Sequence, residues 1–245
     1  MISRNPLRKV EDALNARKIT QEVFQIISDR YHIVTEGVKR VEAASDVRYP
    51  SYYIEPSLVI SISELESAQL GIFFARTMPT VTEDKRLEIV VQITAPLIAF
   101  GSIGTIHAIL AHEFIHYLDL IRKIMKMGIL SDEVYDTLFE SSYADSERLL
   151  NPRAIFRPDP TLVNHISRRF ADGFRDLRLE KKAIDEWMNK GLPILRMPIN
   201  TNVVKLPVEL MAMLEVDPIL KEKIGKFENT KLRLKKFKNY VQYSS

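Results

Sequence analysis

The chain contains no cysteine. That excludes a disulfide framework and the closed Cys cages of structural zinc sites. Any transition metal would be held by histidine and carboxylate, a donor set that suits a catalytic site. Histidine is itself scarce, with 5 in 245 residues, so a local cluster of it stands out. An apolar signal-peptide core is also missing: the opening MISRNPLRKVEDALNARK is charged throughout, and a cytoplasmic location is the expectation. There is no internal repeat or low-complexity segment. A composition of 46% hydrophobic and 27% charged residues is ordinary for a soluble globular chain, and the length allows a sizeable core in one compact unit with a cleft. Few Gln beside many Ile, Lys and Glu gives a thermophile-like composition.

Charge is absent from one long stretch. Between Ile89 and Ala111 there is no Asp, Glu, Lys or Arg, a length that could cross a bilayer. Gln92, Thr94, Pro96, Gly101, Ser102, Gly104, Thr105 and His107 interrupt it, however, and the pattern reads as strand, turn and helix start. No membrane insertion is expected.

The helix that begins there is the most informative part of the chain. Residues 106–125, IHAILAHEFIHYLDLIRKIM, carry His112, Glu113 and His116 in the order H-E-x-x-H. Histidines four apart lie on one face of a helix and can reach one metal ion. Glu113 lies about 100° round the same cylinder, beside the metal position, where a carboxylate can take a proton from a metal-activated water. Ile106, Ala108, Ile109, Leu110, Ala111, Phe114, Ile115, Leu118, Leu120, Ile121 and Ile124 encircle the helix and predict burial on every side. A buried carboxylate needs a partner, and a metal with its water supplies one. His107 points to the opposite side and reads as structural. Asp119 is too far along the axis to join both histidines on one ion and reads as an orienting hydrogen-bond partner or an ion-pair residue.

Set in its apolar surroundings, this segment resembles the active-site helix of the zincin metallopeptidases. The resemblance covers about twenty residues. It implies that His112 and His116 are zinc ligands and that Glu113 is the general base and later proton shuttle. It also implies hydrolysis of a peptide or protein substrate. The metzincin extension would need Gly at 119 and His at 122; Asp119 and Arg122 exclude that subfamily.

Catalytic zinc usually has three protein ligands, so a third is sought downstream. Over Pro160–Asn189 the spacing predicts one long amphipathic helix, capped by Asp159 and opened by Pro160, with Leu162, Val163, Ile166, Phe170, Phe174, Leu177, Ile184 and Met188 as its apolar stripe. His165, Arg169, Asp172, Asp176 and Glu180 form a polar row on its flank, and Gly173 would let another helix approach. The string Asp172, Asp176, Arg178, Glu180 resembles an acidic helix of some zincin-like families. Asp176 is the chosen third ligand, with Asp172, Glu180 or Glu140 as alternatives; a Glu would match the gluzincin type better. Tyr143 and His165 are candidates to steady an oxyanion.

The expected fold is α+β and zincin-like. An N-terminal lobe (1–128) holds a small mixed sheet and the H-E-x-x-H helix, and a mainly helical C-terminal lobe (129–245) supplies the third ligand. Helices are predicted from Asn5–Pro6 and from Thr20, and strands near 38–43, 47–54, 58–62, 71–76 and 87–95. The last strand is read as an edge along the cleft, to which a peptide could add, or as an internal strand. From Pro218 to Ser245 eight Lys or Arg stand against two Glu, interleaved with Phe227, Leu232, Leu234, Phe237, Tyr240 and Val241. A basic amphipathic tail of this kind can contact nucleic acid. The sequence thus supports two functions: a zinc-dependent metallopeptidase, or a metal-stabilised, catalytically inactive interaction module associated with nucleic acid.

Overall fold

The structure, a computed structural model, describes residues 5–62, 70–82, 86–130, 138–142, 150–170, 173–197, 203–207 and 214–228. Two helices, α1 (Arg8–Asn15) and α2 (Gln21–Ser45), precede the strands β1 (Tyr52–Glu55), β2 (Leu58–Ile62), β3 (Leu70–Phe73), β4 (Ala75–Val81) and β5 (Leu87–Thr94). A short α3 (Ala95–Phe100) leads into the long α4 (Ile103–Leu130). After it come β6 (Leu138–Ser142), α5 (Pro152–Ile155), α6 (Pro160–Arg169), α7 (Leu177–Ala183) with a π-helical turn at Ile184–Met188, β7 (Ile194–Met197) and β8 (Val203–Pro207). Residues 218–228 are helical. The class is α+β, as the sequence predicts.

The sheet that bears on function has the order β1-β5-β4, with β1 parallel and β4 antiparallel to the central β5. β5 is therefore internal, and β4 is an edge strand that pairs with β5 alone among the described residues. Seven of the eight β5 residues are buried, which is why it reads as a continuous apolar run rather than an alternating one. Thr77 pairs with Val91, and Tyr52 pairs with Val91 from the other side, so these residues share the sheet face that packs on α4.

The strand predicted at 38–43 is helix instead. Thr20 accepts a hydrogen bond from the Val23 amide at 3.3 Å and starts α2, which runs unbroken to Ser45. Ile27, Val34 and Val41 recur at heptad spacing on its buried face. Gly37 lies on that face because α4 crosses there: a Cβ on it would stand 2.6 Å from Leu110 Cδ1 and 2.7 Å from His107 Cδ2. The run at 71–76 is also two strands, β3 and β4, which belong to different sheets.

The single long helix predicted at 160–189 is broken. Asp159 caps α6 as expected, accepting from the Leu162 amide at 2.9 Å, and its carboxylate also pairs with Arg40 of α2 at 2.6 and 2.9 Å. The Arg40 guanidinium holds the Asp159 carboxyl below the usual carboxylate range. α6 ends at Arg169 with Phe170 as its C-cap, and Gly173, between α6 and α7, adopts φ +91°, which a continuing right-handed helix does not allow. A Cβ at Gly173 would meet nothing within 4 Å, so backbone conformation and not helix packing accounts for the glycine.

The second half of the chain packs into the first. β7 lies parallel to β2, α6 packs along α4, and α7 packs on α3. Arg122 of α4, with 6% of its surface exposed, pairs with Asp119 and with Glu228, so Asp119 is an ion-pair residue. The hydrophobic core runs continuously from Val10 to Phe227. No described helix is long and apolar enough to cross a membrane. Residues 229–245, the larger part of the basic tail, lie outside the described residues.

Candidate metal centre

α4 is the axis of the molecule, enclosed by α2, α6 and the β1-β5-β4 sheet. Ser102 begins it, its hydroxyl accepting from the Thr105 amide at 3.1 Å, and Arg30 of α2 ties down the preceding turn through the carbonyls of Ile98 and Gly101. Ile106, Leu110, Ala111, Phe114 and Leu118 are fully buried around its circumference. Within this apolar sheath His112 and Glu113 are 6% and 7% exposed. His116 lies one turn on and is half-buried.

The two imidazoles converge. Nε2 of His112 and Nε2 of His116 are 2.9 Å apart, with the ring planes at 82°. At that separation one nitrogen must donate and the other accept, so the pair shares one hydrogen between two lone-pair sites. Two nitrogens bound tetrahedrally to zinc at about 2.0–2.1 Å would stand about 3.3 Å apart. A cation could therefore replace the shared hydrogen after an opening of a few tenths of an ångström. The histidines fit the metal as two of its ligands.

The His112 ring is itself held. Phe170, the residue that ends α6, stacks on it with centroids 3.7 Å apart and planes at 9°. Phe174 packs on Phe170 in turn, at 5.4 Å. On the sheet side Thr77 of β4, 2% exposed, places its hydroxyl 2.9 Å from Glu113 Oε2 and 2.9 Å from the Glu113 carbonyl oxygen. The Tyr49 phenol donates to the Leu110 carbonyl at 3.0 Å and stacks on Phe114. Burial, with the nearby charge of Glu113 as a smaller cause, pushes its pKa well up, so it stays neutral.

Asp176 is not brought to the histidines. It caps α7, accepting from the Leu179 amide at 3.1 Å, and its other oxygen accepts from Thr105 Oγ1 at 2.7 Å. Thr105 precedes His112 by seven residues, so Asp176 lies on nearly the same face of α4 but roughly 10 Å nearer its N-terminus. The break between α6 and α7 puts it there: an uninterrupted helix would have carried the polar row differently. His165, expected to steady an oxyanion, lies against Gly104, also at the beginning of α4, where Arg169 donates to Thr105 at 3.0 Å. Burial and the neighbouring Arg169 lower the His165 pKa. These residues clasp the first turn of α4.

Of the alternatives for the third ligand, Glu180 is on α7, one turn beyond Asp176. Glu140 is on β6, paired in register with Lys205 of β8 and not on a helical face. Asp172 and Tyr143 lie outside the described residues. Among the described residues no group of three His, Asp or Glu side chains is placed to hold a metal ion. His107 is structural, as expected. Its Nε2 lies 3.2 Å from the Ile33 carbonyl and its Nδ1 3.3 Å from the Arg40 guanidinium, and burial together with that cation lowers its pKa.

Sequence reasoning misses Thr77 and Phe170. Thr77 falls one residue beyond the predicted strand at 71–76; extending the alternation to 81 would turn it inward as a polar residue on a buried face. Phe170 reads as one member of an apolar stripe, and only the end of α6 aims it at His112. A cleft of about 720 Å³ lies further along α4, lined in part by Tyr49, Tyr52, Glu88, Tyr117 and Asp217, and neither histidine nor Glu113 borders it. Burial, Asp217 and Glu88 push the Tyr117 phenol to about 12.

No family model, curated protein or solved structure matches the chain. The role of this centre is therefore read from its own geometry.

Proposed function

We propose that the protein is a zinc-dependent metallopeptidase of zincin type, with His112 and His116 as metal ligands and Glu113 as general base. The observation that carries this reading is the meeting of the two Nε2 atoms at 2.9 Å on a buried helix, with Glu113 held beside them by the edge strand. His112 and Glu113 are buried with half-buried His116 beside them, an arrangement of polar groups that a bound cation would satisfy. Zinc bound there supplies Lewis-acid chemistry, acidifying a water and polarising a peptide carbonyl.

The chain's own groups divide the remaining work. Glu113 takes the proton from the attacking water and passes it to the departing amine nitrogen, so the carboxylate is regenerated. Phe170 covers one face of His112 and fixes the ring. Among the described residues β4 is an edge strand next to Glu113, along which an extended peptide could lie. The third ligand would come from the acidic residues after α4; Asp176 is engaged by Leu179 and Thr105.

The test is Glu113→Gln in zinc-loaded protein assayed on fluorescein-labelled casein. The variant is expected to keep its zinc and lose at least about a hundredfold in turnover, the usual range for a positioned base. Wild-type-like turnover in the variant would rule out the mechanism.

A further inference from the structure

We infer that Thr77 is a positioning residue for Glu113, holding that side chain in place for proton transfer. The orientation stands on the hydrogen bonds alone, and its use in turnover rests on the peptidase reading above. Thr77 Oγ1 is equidistant, at 2.9 Å, from two oxygens of one residue, Glu113 Oε2 and the Glu113 carbonyl. A threonine hydroxyl has one hydrogen and two acceptor lone pairs, so it donates to one of them at a time.

With Glu113 as the carboxylate that acts as base, the Thr77 hydrogen points to Oε2, and a charge-assisted bond fixes the side chain. The proton that moves in the reaction goes from water to Glu113 and on to the leaving nitrogen. The hydrogen of Thr77 stays on its own oxygen throughout.

The site around it supports this arrangement. Thr77 is 2% exposed, so water does not compete for Oγ1. Its backbone is fixed by pairing with Val91 of the central strand, and the β-branched side chain has few rotamers to lose. A serine or threonine here can donate to the carboxylate; valine of the same shape cannot.

The test compares Thr77→Val and Thr77→Ser. In zinc-loaded protein on fluorescein-labelled casein, the Val variant should keep its zinc and its KM while kcat falls by up to about a hundredfold, as for a base displaced by about 1 Å. The Ser variant should restore most of the rate. Independently of turnover, crystal structures should show the Glu113 carboxylate leaving its place in the Val variant and keeping it in the Ser variant. Wild-type kcat in the Val variant, or a Glu113 carboxylate unmoved in it, overturns the inference. If wild-type protein leaves casein intact, the peptidase reading fails, and the crystal structures alone then decide the role of Thr77.

Discussion

His112, Glu113 and His116 lie together because a helix places residues four apart on one face and the next residue beside them. That geometry depends on nothing distant, so the three are legible in the sequence. Asp176 is not, because its position depends on where the chain turns between α6 and α7. Its carboxylate serves Leu179 and Thr105, both structural partners. Replacing Asp176 with Ala should therefore lower stability by about 1–2 kcal/mol, the cost of losing a cap, and leave zinc content unchanged. Denaturant unfolding and elemental analysis of the same preparation would check both halves, and loss of zinc with stability intact would return Asp176 to the metal.

Elements are legible where periodicity is sustained and misleading where one residue serves a long-range contact. α4, β2, β5 and the start of α2 follow from apolar spacing and capping residues alone. α2 beyond Val38 reads as strand because Val38 and Val41 open a stretch rich in β-branched and aromatic residues, and Gly37 just before them sits mid-helix. The glycine is there for the α4 crossing, and no local signal reports that crossing. Gly37→Ala should force Leu110 and His107 outward and cost about 1–3 kcal/mol by overpacking, visible as a lower denaturant midpoint with an unchanged slope. An Ala variant as stable as wild type would mean that α2 and α4 are not in such close contact. β5 reads equally well as edge or interior; β4 emerges as the edge only from its pairing, since an edge strand and a buried one can share the same residues.

At the scale of the molecule, a continuous core joins the two halves of the chain, and α4 runs through it carrying the candidate metal centre. The α+β class is readable from composition and pattern. The parallel pairing of β7 with β2 is not, because it joins segments more than a hundred residues apart through backbone hydrogen bonds that leave no mark on side-chain choice. Placing His112 and Glu113 in that core, with half-buried His116 beside them, makes sense if a cation binds the folded state, which would then be stabilised in proportion to ligand occupancy. The most direct measurement is zinc content with unfolding midpoint, for wild type and His116→Ala side by side. The expected result is about one zinc per chain in wild type with a midpoint that rises on adding zinc, and neither in the variant. No zinc in wild type, with a midpoint indifferent to it, would contradict the metal centre and leave His112 and His116 as a hydrogen-bonded pair in the core.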